Sequence, residues 1–146
     1  FKEGVLIDGF QGVKKTFESM KYGLCMIDIM DKALPKEYQD KAMFDITYQC
    51  LNKINQNQDH KIIFIFFLLL FAHHNGYSLH EPHLHSLNAD DILNIFIKDD
   101  CDNNQYETLM ESVRELDHDK LIQELLLFVR THIPEIKNAK SLKFVN

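Results

Sequence analysis

Eleven consecutive residues, Ile62 to Ala72, carry no polar side chain. A segment of this kind has no face to offer to water, so the rest of the chain must surround it. It is too short to cross a bilayer, which takes about 20 apolar residues in helical form. Ile62, Ile63, Phe64, Ile65, Phe66 and Phe67 favour β structure, and a buried strand is the competing assignment. The leucines that follow, and the lack of a partner strand elsewhere, favour a helix. Asp59 is placed to cap it ahead of His60, and Asn75-Gly76 to end it.

The flanking segments read as helices able to enclose that axle. Val13, Phe17, Met20, Leu24, Ile27 and Leu34 recur at steps of mostly three and four, which predicts a helix over 13–33 with those residues on its buried face. Pro35 can open a second helix whose inward stripe is Met43, Ile46, Cys50, Leu51 and Ile54. Asn88 reads as the cap of a fourth, with Asp90 and Asp91 facing the positive end of its dipole. That helix should run to Lys98. A polar loop over Asp99–Gln105 then leads to a helix bearing Tyr106, Leu109, Met110, Val113 and Leu116. Asp117 caps the last one, whose apolar residues Leu121, Ile122, Leu125, Leu126, Phe128 and Val129 precede Pro134. The expected fold is all-α: a compact bundle of about six helices around a central apolar helix near 61–74. No repeat of fixed period is evident, which argues against a solenoid.

A chain of 146 residues fits one domain, here 1–146, and buries about 70% of its unfolded surface without help from disulfides or metal. Phe1 is not an initiator Met and no leader-like pattern follows, so the sequence reads as part of a longer protein. The three cysteines, Cys25, Cys50 and Cys101, are far apart and form no CxxC pair, which points to a reducing compartment such as the cytoplasm. Net charge is −6 with the acids dispersed, whereas phosphate binding calls for clustered cations, and on that ground nucleic acid is set aside as a partner. Of the 16 basic residues only Arg114 and Arg130 are arginine, and Trp is absent, a usage typical of AT-rich coding sequence. Export into a host cytosol as a bacterial effector is the localisation that this composition suggests beside the cytoplasm.

Histidine supplies the densest local signal. Five of the eight lie within His73–His85, in HHNGYSLHEPHLH. Imidazoles bind zinc, and a His83-x-His85 spacing puts two rings on one side of an extended segment, with His80 or Glu81 as further ligands. The HExxH pattern of zinc proteases fails, because Leu84 stands where the second histidine belongs and Pro82 would break the helix. The alternative is that His73 and His74 close a helix at its negative end and the others are solvated.

Asp100-x-Asp102-x-Asn104-x-Tyr106-x-Thr108-x-x-Glu111 resembles the calcium-binding loop of EF-hand proteins, and the resemblance implies Asp100, Asp102, Asn104 and Glu111 as calcium ligands. It covers twelve residues. Gln105 replaces the glycine of the sharp turn and Glu107 the usual apolar residue, so an ordinary acidic loop between helices is the competing reading. No cofactor is expected; zinc, and after it calcium, are the alternatives that these two patterns raise.

Cys25 and Cys50 sit on or beside apolar helix faces without a neighbouring base, and Cys101 sits among carboxylates that oppose thiolate formation. GxSxG, P-loop and GxGxxG patterns are missing. The first reading is therefore a non-catalytic helical interaction module that binds a protein partner. A zinc-type site in the His73–His85 connector, with an enzymatic or sensor role, is the second. A lipid-headgroup module using Lys14, Lys15 and Lys21, or Lys137, Lys140 and Lys143 with Leu142 and Phe144, is the third.

Overall fold

A computed structural model of the chain describes residues 17–33, 41–55, 59–77, 89–98 and 102–138. Among these it contains six α-helices and no strand, as the periodicity predicts: α1 Phe17–Ala33, α2 Lys41–Asn55, α3 His60–His74, α4 Ala89–Ile92, α5 Asn103–Arg114 and α6 His118–His132. A single π-helical turn, Leu93–Ile97, prolongs α4, and a 3₁₀ turn, Pro134–Asn138, follows α6.

The apolar run is α3, and every residue from Ile62 to Ala72 is buried. Helices α1, α2, α4 and α6 all pack against it, so the segment that could not face water is the axle of the bundle. Asp59 caps it through one carboxylate oxygen, which accepts from the backbone N–H of Lys61 at 2.9 Å and of Ile62 at 3.2 Å. At the far end Gly76 adopts φ +83°, and the backbone N–H groups of Gly76 and Tyr77 reach His73 O and Ala72 O at 3.0 Å each. That left-handed turn is the reason for glycine there.

Aromatic rings fill the interior. Phe64, Phe67 and Phe71 stack along one side of α3, Tyr22 of α1 packs on Phe64 at 5.1 Å, and Phe66 meets Phe96 of the π turn edge-on at 4.9 Å. Burying each such ring stabilises the fold by about 1.5–3 kcal/mol. The π turn, with the Lys98 N–H reaching Leu93 O at 2.9 Å, keeps both Phe96 and Ile97 buried at the point where α4 ends.

Two expectations need correction. On α1 the buried stripe is Tyr22, Cys25, Met26, Ile29 and Met30, while Met20 is 37% exposed and Leu24 and Ile27 are half-buried. This helix is apolar on two faces, and periodicity cannot choose between them; packing against α3 does. Residues 13 and 34 of the expected stripe lie outside the described residues. The polar loop expected over Asp99–Gln105 is shorter than that: α5 begins at Asn103, because Asp102 accepts from the Gln105 N–H at 2.8 Å while the Gln105 side chain accepts from the Asp102 N–H at 3.1 Å. This capping box turns residues read as loop into a first helical turn. Lys53 on α2 is buried as well, with its ammonium 5.3 Å from the centroid of the Phe96 ring.

Helices α3 and α6 run parallel. Near their starts Lys61 Nζ is 3.0 Å from Asp119 Oδ1, and near their ends the rings of Tyr77 and His132 are 4.7 Å apart. A parallel pair needs a long return, which residues 78–117 provide.

Candidate functional site

Helix α2 has two side-chain stripes with different characters. Met43, Ile46, Thr47, Cys50, Leu51 and Ile54 are buried against the core, and the Thr47 hydroxyl donates to Met43 O at 2.9 Å, so its polarity is satisfied inside. Lys41, Phe44, Asp45 and Tyr48 form the opposite stripe at steps of three and four. Phe44 is 40% exposed and Tyr48 44% exposed, one helical turn apart and about 6 Å along the axis. Two large aromatic side chains held outward on a rigid, well-backed helix give a surface suited to an apolar contact. Leu127, 63% exposed in the middle of the outer face of α6, is a further apolar side chain in solvent.

The histidine connector is described only at its margins. His73 and His74 form the last turn of α3 and are exposed. His73 Nε2 lies 3.7 Å from Asp90 Oδ1, joining the end of α3 to the start of α4. Tyr77 turns back onto α6, where its hydroxyl donates to the carbonyl of His132 at 3.2 Å and its ring meets Phe128 edge-on. His80, Glu81, His83 and His85, the zinc-type candidates, lie outside the described residues. Among the described residues no three side chains of metal-binding type converge.

The calcium-type candidates are spread along one helix. Asp102 caps α5, Asn104 sits in its first turn and Glu111 two turns later, about 10 Å further along the axis. The structure does not bring Asn104 and Glu111 together, and Asp100 lies outside the described residues. The outward face of α5 carries Glu107, Glu111 and Glu115, with Arg114 3.5 Å from Glu107.

Neither described cysteine is set up as a nucleophile. Burial, then the neighbouring Asp28 charge, pushes the Cys25 thiol up to about 12, and complete burial pushes Cys50 higher still. Of the lysines considered for a membrane surface, Lys21 and Lys137 fall among the described residues; Lys137 is part of the 3₁₀ turn, and the Lys21 ammonium is 5.1 Å from the centroid of the Tyr22 ring. Among the described residues no helix is long and apolar enough to cross a membrane.

Sequence reasoning weighed the buried stripe of α2 and passed over Phe44 and Tyr48. The signal was there: two aromatics four residues apart and off the core stripe.

A family model described as "Recombination protein O C terminal" matches residues 14–101, more than half of the chain. No curated protein and no solved structure was found to match. The matched segment takes in α1, α2, α3 and α4, including the outward stripe of α2. It overturns the expectation that nucleic acid is not a partner class, because recombination is an operation on nucleic acid strands. Net charge was the wrong guide: it sums over the whole chain, whereas a phosphate is met by a few local cations. The compositional suggestion of a secreted effector finds no support in the match.

Proposed function

The chain belongs to the recombination protein O C-terminal family, which makes it a helical domain related to DNA recombination, and from that premise we propose that it is a non-catalytic module binding a protein partner through the outer stripe of α2. The observation that carries the reading is the outward pair Phe44 and Tyr48 on a helix whose other face is locked into the core. Aromatic side chains dominate the energetics of protein interfaces because they bury a large area at small cost in side-chain entropy. A helix already held by its neighbours adds little further ordering cost on association.

The test is site-specific photo-crosslinking in cells that make the protein, with the crosslinking residue in place of Phe44 or Tyr48. The reading expects a covalent adduct with one other protein. It also expects Phe44→Ser with Tyr48→Ser to weaken association with that protein at least tenfold while the melting temperature changes little. Adducts with nucleic acid alone, or equal association by the double variant, would overturn it.

A further inference from the structure

No further inference is drawn: the strongest candidate, the edge of the bundle where His73, His74 and His132 stand near the two ends of the 78–88 connector, would need ligands from that connector, which lies outside the described residues, and no three metal-binding side chains among the described ones converge there.

Discussion

Lys61 Nζ lies 3.0 Å from Asp119 Oδ1 and joins the first turn of α3 to the first turn of α6, two segments almost sixty residues apart in the chain. The hydrogen bond from Lys61, and then its charge, holds the Asp119 carboxyl below its ordinary range. A carboxyl lowered in the folded state stabilises the fold above the unfolded value, about 3.9, and that contribution is lost as pH falls through the folded value. Both side chains are substantially exposed, so the pair contributes less than about 1 kcal/mol. Asp119→Asn should therefore lower stability slightly at pH 7, and the gap from the unsubstituted protein should narrow at an acid pH below the ordinary carboxylate range and in about 1 M salt. Urea unfolding at the two pH values checks this, and a gap that persists at low pH would contradict the assignment.

At Gly76 nothing lies within 4 Å of where a Cβ would stand, yet φ is +83°. Any loss on substitution is then conformational rather than steric. Gly76→Ala should cost about 1 kcal/mol, the penalty of a left-handed backbone for an L side chain. Chemical denaturation measures it; an unchanged midpoint would mean that the turn relaxes to another conformation.

The buried thiols make a chemical prediction. With Cys25 held at about 12 and Cys50 raised further, iodoacetamide at pH 8 should leave both unmodified in the native protein and label both after unfolding. Peptide mapping locates the adducts. Rapid native labelling at Cys50 would show that the core opens far more readily than complete burial implies.

The long axle was legible from its composition alone, and so were its ends, because Asp59, Asn75 and Gly76 act through local backbone chemistry. The core stripe of α2 and the Asp117 cap of α6 were legible for the same reason: periodicity and capping are properties of neighbouring residues. What could not be read was set by distant contacts. The face of α1 that turns inward is chosen by Phe64 and His60, whose rings pack on Tyr22. The parallel pairing of α3 with α6 leaves no trace in either segment. The burial of Lys53 beside Phe96 is likewise set by a distant contact. The outward aromatics of α2 were visible in the sequence, but only once the inward stripe is known does their exposure acquire meaning.

The family match ends at residue 101, but the helix packed most extensively along α3 is α6, which lies beyond it. Residues 102–138 therefore complete the core instead of forming an appendage. A fragment ending at 101 should lose the cooperative thermal transition and bind a hydrophobic dye, since the α6 side of α3 would be exposed. A sharp transition in that fragment would show that α1 to α4 suffice.

The account rests on α3 being enclosed on every side, and native-state hydrogen exchange tests this most directly. The amides of Ile63 to Ala72 should exchange slowest in the chain, at rates set by global unfolding, while those of α5, packed mainly against the π turn, exchange through smaller openings. Exchange of the Ile63–Ala72 amides as fast as those of α5 would contradict it.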